Sequence, residues 1–479
     1  MRRTSRTVAS LALAGVAWLS TGAAAQPVLT ADDAVKLALQ RNSQMINASA
    51  DVLSARGGLY GAFSGLLPHL SAGLSRSGSR VDKASGSSLF GSFVTPSATT
   101  DRESYSTSPQ LSGSWQLLNL SSIAGLRSAH AGLKATELTR KATRADVALA
   151  TRQQYYQVVQ ATKLIGVASQ ALTLARDSER RVRVLFEVGS VSRSDVLQAQ
   201  VQTAQSQMDS IVACQALLVQ RDLLAMQIGI EETRLGEVDT VLAFTPREFD
   251  EVGLLDEAAA NRPDLKAAVL QLKAAKAGLS SARLSRLPYV SVAGSAGFDL
   301  STAFRQKSYG TTRVFGPPHV HPDGTDSLPV YQDLVEEIPT PETSGNSKVH
   351  RQYGASITLN WDFFDGLATD SRNATARARL MRAQNAYDVL HRNLAGEVHE
   401  AALTYQQVLA SEAVAQAAVA SATENMKLTQ QKYNVGSATI LDLITAQVAL
   451  ARAQSQLVNA LAAIRVAEAR IDRVRGRGV

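Results

Sequence analysis

The sequence has 479 residues, of which 45% are hydrophobic but only 5% are aromatic, and its formal net charge is +7. This length exceeds one ordinary globular domain. An apolar fraction rich in alanine, leucine and valine is typical of long, closely packed helices. Beyond the N-terminus no run of about 18 apolar residues occurs, which argues against inner-membrane helices. The mild charge surplus is spread along the chain and indicates no nucleic-acid partner.

The N-terminus, residues 1–25, predicts a cleaved signal peptide. Arginines in the first six residues form a basic region, an apolar stretch follows, and three alanines provide a cleavage site before Gln26. Removing three arginines lowers the net charge from +7 to +4. The single cysteine, Cys214, has no partner for an internal disulfide, and the cleavage site offers no cysteine that could carry a lipid.

The remaining chain contains one pattern twice. The matched segments are Gly58-Leu59 with Gly278-Leu279, Leu67-Pro68 with Leu287-Pro288, Ser114–Leu117 with Asn360–Phe363, and Val188–Ser190 with Val435–Ser437. Because the order is the same in both halves, we interpret the pattern as an internal duplication. It predicts a first repeat at 26–230, a linker at 231–253, and a second repeat at 254–479 with a long loop at 301–351 between its strands.

Four stretches alternate between apolar and polar residues with a period of two, which predicts strands with one apolar face. The apolar residues are Leu70, Ala72 and Leu74; Leu111, Trp115 and Leu117; Val290, Val292, Ala296, Phe298 and Leu300; and every second residue from Tyr353 to Phe363. A soluble sandwich would show the same alternation. The signal peptide, the serine-rich opposite face, and Trp115 and Trp361 near strand ends favour a membrane barrel with interfacial aromatics.

Two long tracts contain no proline, a residue that breaks helices. They run from Leu117 to Gly189 and from Phe363 to Gly436, and each would form a helix of roughly 100 Å. Glycine ends helices well because it accepts positive φ. Gly189 and Gly436, each in a Val-Gly-Ser segment, therefore predict the tips of two antiparallel helical hairpins.

The predicted fold class is mainly α with membrane β-strands: duplicated long helical hairpins plus four strands per chain. Four strands cannot close a barrel, since bacterial single-chain barrels have at least about eight strands. An open strand edge cannot face lipid. The pattern therefore requires an oligomer, either a dimer with eight strands or a trimer with twelve.

The chain resembles the outer-membrane efflux protein family, the TolC-like outer-membrane factors. The resemblance runs from about Leu29 to Ile471 and rests on the repeated helix-Leu-Pro-strand segment, on Phe186–Gln200 and, most sharply, on Lys432–Gln447. It implies a homotrimer with a twelve-stranded barrel on an α-helical tunnel, located in the outer membrane with a periplasmic extension. It also implies docking to a periplasmic adaptor protein and to an inner-membrane efflux pump or ABC transporter.

The resemblance also implies roles for residues near the tips. Tyr433 matches a gating tyrosine, Asp442 matches an acidic ring, and Asp195 matches its equivalent in the first repeat. Ala438 and Thr445 depart from the family pattern, where some members have a basic latch residue and a second acidic residue, so a looser or differently latched opening is expected. The aspartates also stand where helix N-terminal caps are favoured, and both roles can coexist.

The sequence indicates no catalysis and no cofactor. It contains no phosphate loop, no His-Glu-x-x-His and no Cys-x-x-Cys motif, and no nucleophile elbow. His319 and His321, near Asp323, could bind a metal, but a Pro-rich loop is the simpler interpretation. Three function classes remain: a transport duct, a periplasmic coiled-coil protein or pump adaptor, and a secreted enzyme without a recognisable site. The duplication favours the duct, because an adaptor would have one hairpin flanked by compact β domains.

Overall fold

The computed structural model describes residues 28–84, 99–315, 331–338 and 348–476. The expected signal peptide and the residues His319, His321 and Asp323 lie outside these ranges. The helices are α1 (Ala31–Arg41), α2 (Ser43–Ser64), α3 (Leu120–Glu187), α4 (Arg193–Ile228), α5 (Glu251–Asn261), α6 (Pro263–Leu284), α7 (Ala368–Asn434) and α8 (Ile440–Val474). The strands are β1 (His69–Ala84), β2 (Thr99–Leu118), β3 (Tyr289–Phe315), β4 (Tyr331–Ile338) and β5 (Lys348–Asn360).

The chain forms two compact units. Within the described ranges, the helical unit comprises residues 28–53, Lys134–Val269 and 385–476, and the sheet unit lies within Ser54–Leu133 and Leu270–Gln384.

The sheet unit contains one antiparallel sheet in the order β1-β2-β3-β5. His69 pairs with Ser114, Ser114 with Ala293, and Ala293 with Ser356, so one register crosses all four strands. These strands are the four that the alternation predicts, and most are longer than the alternating stretches. Within the described chain, β1 and β5 have no neighbour on their outer sides.

The segment 301–351, expected to be a loop, contains regular structure. β3 continues through it to Phe315, and Ser308–Phe315 pairs with β4. β5 already begins at Lys348. The part of β3 beyond the end of β5 would have unpaired backbone N–H and C=O groups, which need partners. β4 supplies these partners by pairing with Ser308–Phe315 in an outer hairpin. The prolines near position 318 gave the appearance of a loop because they lie between the two strands of the hairpin.

The two faces of the sheet differ sharply in chemistry. One face carries Leu70, Leu111, Val292 and Ile357, as the alternation predicts. The other face is hydroxyl-rich, with Ser71, Ser112, Ser114, Ser291, Ser295, Ser356, Thr358 and Asn360. It also carries Asp299, whose carboxylate accepts hydrogen bonds from Ser106 and Ser108 at 2.8 and 3.2 Å. The Oγ atoms of Ser71 and Ser112 lie 2.7 Å apart. A sheet with one dry face and one hydrated face can separate lipid from water.

The helical unit is built on long segments of α3 and α7. α3 has 68 residues and α7 has 67, which corresponds to roughly 100 Å each, as the proline-free tracts predict. α3 packs in one core with Val147, Val158 and Val159. α7 packs in a second core with Val398 and Tyr405.

α3 and α4 each contain a stretch that is long and apolar enough to cross a membrane by composition alone. This differs from the expectation that the chain has no such stretch. In α3 only 22% of this stretch is buried. In α4 the cause is an apolar stripe that the single chain leaves exposed, with Leu197, Val201, Met208, Val212 and Met226.

The ends of α4 and α8 dock on two equivalent helix breaks. α1 and α2 separate at Asn42, whose Nδ2 donates to the carbonyl of Gln227 at 2.7 Å. Gly229 follows with φ of 82°, and a Cβ placed there would lie 2.7 Å from the carbonyl oxygen of Arg41. In the second copy Gly476 has φ of 71°, and its Cβ would lie 2.9 Å from the backbone N of Arg262. Both glycines are required by close backbone approach as well as by φ.

Candidate functional site at the hairpin tips

Gly189 and Gly436 end α3 and α7 in the same way. Their φ angles are 77° and 78°. The Ser190 N–H donates to Leu185 O at 2.8 Å, and the Ser437 N–H donates to Lys432 O at 2.9 Å. These are the bonds of a Schellman motif, which satisfies the last carbonyls of a helix and turns the chain. Gly189 and Gly436 therefore lie where the chain leaves α3 and α7 and turns toward α4 and α8.

Asp195 and Asp442 close capping boxes at the start of α4 and α8. The Asp195 carboxylate accepts from the Ser192 N–H and hydroxyl, both at 2.9 Å. The Asp442 carboxylate accepts from the Thr439 N–H at 2.9 Å and from its hydroxyl at 2.7 Å. In return each N-cap oxygen accepts from the backbone N–H of its aspartate at 3.2 Å. Both aspartates therefore have a capping role.

The capping bonds favour the charged form of the Asp442 carboxylate. Hydrogen bonds from the Thr439 hydroxyl and N–H hold the pKa of Asp442 below its usual range, against a smaller effect of burial. Asp442 is exposed, and Asp195 is partly exposed. At neutral pH the second tip thus presents an ionised carboxylate to solvent, so capping and electrostatic action are compatible at this position.

An apolar cluster joins the two tips. Val182 of α3, Ala199 of α4, and Ile440 and Leu443 of α8 are buried together, and Tyr433 of α7 packs against them. The Tyr433 hydroxyl is buried and forms no hydrogen bond within the described chain. Burial raises the pKa of Tyr433, and the Asp195 charge raises it further against the opposing effect of Arg181. Tyr433 is therefore neutral and lies within electrostatic reach of Asp195.

Below this cluster a buried polar bond connects the hairpins. Gln447 Nε2 of α8 donates to the hydroxyl of Ser178 in α3 at 2.8 Å, and Gln447 Oε1 is buried without a partner in the described chain. The structure thus brings Asp195 and Tyr433 together, and places Asp442 at the start of α8 beside the same cluster.

The predicted interface aromatics lie elsewhere, in the sheet unit. Trp115 is on the apolar face near the end of β2, and its Nε1 donates to Leu66 O at 2.9 Å. Trp361 directly follows β5 and is exposed, as are Phe363 and Phe364. β2 and β5 both end where β3 begins, so Trp115, Trp361 and the two phenylalanines belong to the same end of the sheet. The two phenylalanines were overlooked as members of this group.

A charged cluster at the second helix break was also overlooked. Arg262, only 3% exposed at its side chain, pairs with Asp264 and with Glu397. Arg473 joins Glu397 at 3.2 Å and Asp146 at 2.9 Å. Burial lowers the pKa of Arg262, but its two carboxylate partners outweigh this effect and raise it. Aligning Pro68 with Pro288 places Arg262 opposite Asn42, a difference between the copies that could have revealed the site.

Comparison with known sequences decides the family. The sequence profile of the outer membrane efflux protein family matches residues 34–229 and 254–477. The chain belongs to the outer membrane efflux protein family. The two matched segments correspond to the two copies of the pattern. A comparison with curated proteins finds no significant match.

Solved channels have the same fold as this efflux-family protein. The outer membrane channel CmeC of Campylobacter jejuni is 18% identical, with 94% of this chain and 86% of that one covered and a TM-score of 0.73. VceC of Vibrio cholerae is 18% identical, with coverage of 93% and 96% and a TM-score of 0.70. The open state of MtrE of Neisseria gonorrhoeae is 18% identical, with coverage of 93% and 88% and a TM-score of 0.67.

Family membership and fold together establish the coarse assignment. The protein is an efflux channel of the outer membrane, and its long helical hairpins and amphipathic sheet correspond to the helical tunnel and β-barrel of such channels. The expected fold class and localisation are therefore confirmed.

Proposed function

We propose that this protein is the exit duct of a tripartite efflux or type I secretion system, which passes substrates from an inner-membrane pump to the cell exterior. The observation that carries the proposal is one sheet with a lipid-compatible face and a hydroxyl-rich face, in the same chain as two long helical hairpins. No chemical step is required of the protein. An adaptor would need one hairpin and separate β domains, and a secreted enzyme would need a catalytic site.

The functional form in this proposal is a homotrimer. β1, β2, β3 and β5 leave two sheet edges unpaired within the described chain, and unpaired backbone groups are too costly in lipid. Three copies would contribute twelve strands and could close a barrel of the usual kind. The exposed apolar stripe of α4 supports the same conclusion, because a second copy of the chain would remove it from water.

The proposed division of the chain follows its duplication. Residues 26–230 and 254–479 each supply a helix, strands and a hairpin, and 231–253 links them. The hairpin tips at Gly189 and Gly436 would point toward the periplasm, where a periplasmic adaptor and the pump dock. Trp115 and Trp361 would mark the membrane–water interface at the opposite end of each hairpin's descending helix.

We also propose that Asp195, Asp442 and Tyr433 form the periplasmic gate. In a trimer the aspartates would place six carboxylates around a narrow opening, which attracts cations. Tyr433 packs between the hairpins, so rotation of α7 against α3 would move its ring. Ala438 and Thr445 supply no charge, so the closing contact would depend on the tip cluster.

Two measurements on the purified full-length protein test this function. Its mass in mild detergent should correspond to three chains, and planar bilayers should show conducting channels. Deleting the gene should sensitise the cells to exported compounds, and plasmid expression should restore resistance. A stable monomer that releases with the soluble periplasmic fraction and never conducts would contradict the duct and favour the coiled-coil or adaptor alternative.

A further inference from the structure

The exposed surface of α3 next to the sheet changes from apolar to basic along one line. Between Leu120 and His130 the exposed residues are Leu120, Ile123, Arg127 and His130. They follow each other at three or four residues, so they form one narrow stripe along the helix. The apolar pair comes first after β2, and the basic pair comes next.

α6 has the same order when it is followed away from the strands. Leu287, just before β3, is exposed, followed at helical spacing by Arg283, Ser280, Lys276 and Lys273. An apolar residue again lies next to the sheet, and cations lie further along the helix.

Both stripes lie on the same side of one helix pair. α3 and α6 run antiparallel: the Ser128 hydroxyl donates to Ala274 O at 2.8 Å, and the Ser281 hydroxyl donates to Ser121 O at 2.7 Å. On each helix the exposed stripe lies roughly 130° from this contact line in the same rotational sense. Because the helices are antiparallel, equal rotation brings the two stripes to one side.

This side is uniformly positive. We define the basic patch as Arg127, Lys273, Lys276 and Arg283. The segments 120–133 and 270–284 contain no aspartate or glutamate. Within the described chain no carboxylate pairs with any of the four cations, although Arg286 nearby pairs with Asp370 at 2.9 Å. The patch therefore carries a net charge that no acidic residue of these two segments offsets.

The position of the patch relative to the apolar face identifies its surroundings. Leu117 and Leu118 at the end of β2 are exposed, and the exposed Leu120 and Ile123 follow them along the chain in the first turn of α3. Arg127 is roughly 10 Å beyond the start of α3, and Arg283 is roughly 6 Å from Leu287. Exposed leucine followed by arginine and lysine is the order expected across a membrane boundary, from hydrocarbon to headgroups. In a water-filled lumen the exposed leucine and isoleucine side chains would remain in water, so their position would contribute no hydrophobic free energy.

We propose that the basic patch binds the phosphate groups of anionic phospholipids in the leaflet at this end of the sheet. The proposal rests on the membrane insertion of the proposed duct. Each cation close to an anionic membrane strengthens binding, and long lysine and arginine side chains can reach headgroups from helices that stand just outside the bilayer. The patch would fix the depth of the sheet in the membrane and retain an annulus of anionic lipid.

The test counts lipids on the full-length protein. Wild-type protein is reconstituted with equal amounts of phosphatidylglycerol and phosphatidylcholine, re-extracted in mild detergent, and the retained lipids are counted by mass spectrometry. We expect phosphatidylglycerol to be retained preferentially. In the variant R127Q/K273Q/K276Q/R283Q the ratio of retained phosphatidylglycerol to retained phosphatidylcholine should fall about tenfold, because four cations are removed. The wild-type preference should also fall at roughly 0.5 M salt, where charges are screened beyond a few ångströms.

A matched control carries four substitutions of the same kinds at other positions, in the helical unit. K163Q/R176Q/K427Q/R452Q removes two lysines and two arginines that are exposed in the helical unit, and it should keep the wild-type lipid preference. If the patch variant assembles poorly, the pairs R127Q/R283Q and K273Q/K276Q are measured separately, and each should lose part of the preference.

Two outcomes would overturn the inference. One is an unchanged lipid preference in the patch variants and in high salt. The other is an altered ion selectivity in planar bilayers with unchanged lipid preference, which would place the cations in the lumen. Because channel conductance is recorded on the same samples, failure of the patch is distinguishable from failure of the duct: a conducting wild-type channel without anionic-lipid preference contradicts the patch alone.

Discussion

At the scale of single residues, the aspartates at the tips have two roles that a charge-neutral substitution can separate. The side-chain oxygen of an asparagine can still accept a hydrogen bond from the backbone N–H of Ser192 or Thr439, as the carboxylates do, but asparagine carries no charge. We expect D195N/D442N to fold and assemble normally and to conduct with weaker cation selectivity and weaker block by multivalent cations. The reversal potential in a salt gradient across planar bilayers measures the cation selectivity.

The alanine pair serves as the comparison for the tip aspartates. D195A/D442A removes the charge together with the bonds that the carboxylates accept from Ser192 and Thr439, so the first amides of α4 and α8 should also exchange with solvent faster. If D195N/D442N has the selectivity and cation block of the wild type, the carboxylates only cap the helices, and they do not form an acidic ring.

Gly229 and Gly476 leave less space for a side chain than the tip glycines Gly189 and Gly436 do. All four glycines have positive φ, which costs another residue roughly 1–2 kcal/mol. At Gly189 and Gly436 an added Cβ would meet nothing within 4 Å, whereas at Gly229 it would meet Arg41 O at 2.7 Å. We therefore expect G229A and G476A to lower the unfolding temperature more than G189A and G436A. Equal losses in thermal unfolding would show that the close backbone approach does not matter.

At the scale of secondary-structure elements, the alternation of the strands makes a paired prediction. Val292 pairs with Ile357 on the apolar face, and Ser291 pairs with Thr358 on the hydroxyl-rich face. An arginine on a lipid face costs about 2–4 kcal/mol near the bilayer midplane, whereas a hydrated lumen accepts it. V292R and I357R should therefore reduce membrane assembly, and S291R and T358R should reduce it much less. The fraction of heat-resistant oligomer in the outer membrane provides the measurement; equal yields would reject the assignment of the faces.

The charged cluster at the second helix break predicts a pH dependence. Burial raises the pKa of Asp264, but its bonds with Arg262 outweigh this and keep the folded value below the usual one. A carboxyl with a lowered folded pKa stabilises the fold above its unfolded pKa of about 3.9, and this contribution is lost as the pH falls through the folded value. D264N should cost about 1.5–3 kcal/mol near neutral pH. The difference in free energy of unfolding between D264N and the wild type should become smaller below about pH 4.

An exposed ion pair provides the control for this dependence. Asp32 pairs with Arg152 at 3.2 Å, but its side chain is 74% exposed, so D32N should change stability little at any pH. Urea unfolding at several pH values measures both variants. A constant penalty for D264N from neutral to acid pH would mean that the carboxylate charge contributes nothing.

The sequence predicted the elements whose signals are local. Strict alternation predicted β1, β2, β3 and β5, and the absence of proline with a following glycine predicted α3 and α7. The break at Asn42 has no such signal, because it is formed with the end of α4, 185 residues away in sequence. The outer hairpin of β3 and β4 was overlooked because prolines dominate its connection. Capping boxes were visible as Ser-x-x-Asp and Thr-x-x-Asp, but the packing of Tyr433 against both tips depends on tertiary contacts.

At the scale of the whole molecule, the exposed stripe of α4 is the surface that assembly would have to cover. Leu197, Val201, Met208, Val212 and Val219 recur at four and seven residues and are 41–74% exposed together with Leu223 and Met226. Burial of one such side chain contributes about 1.5–3 kcal/mol. Since every copy presents the stripe, a trimer would bury it three times. A helix with this surface free in water would favour aggregation.

Glutamates in this stripe should therefore prevent assembly without unfolding the chain. We expect V201E/M208E to yield monomers in mild detergent, with helical circular dichroism retained, because each trimer would bury six carboxylates in an apolar contact. Q200E/Q207E is the matched control: it adds the same charges at the neighbouring exposed positions, about 100° around the helix, and should remain trimeric. Light scattering measures the mass of both. If V201E/M208E remains a trimer, α4 does not face a second copy, and the contact between copies must be sought on another helix.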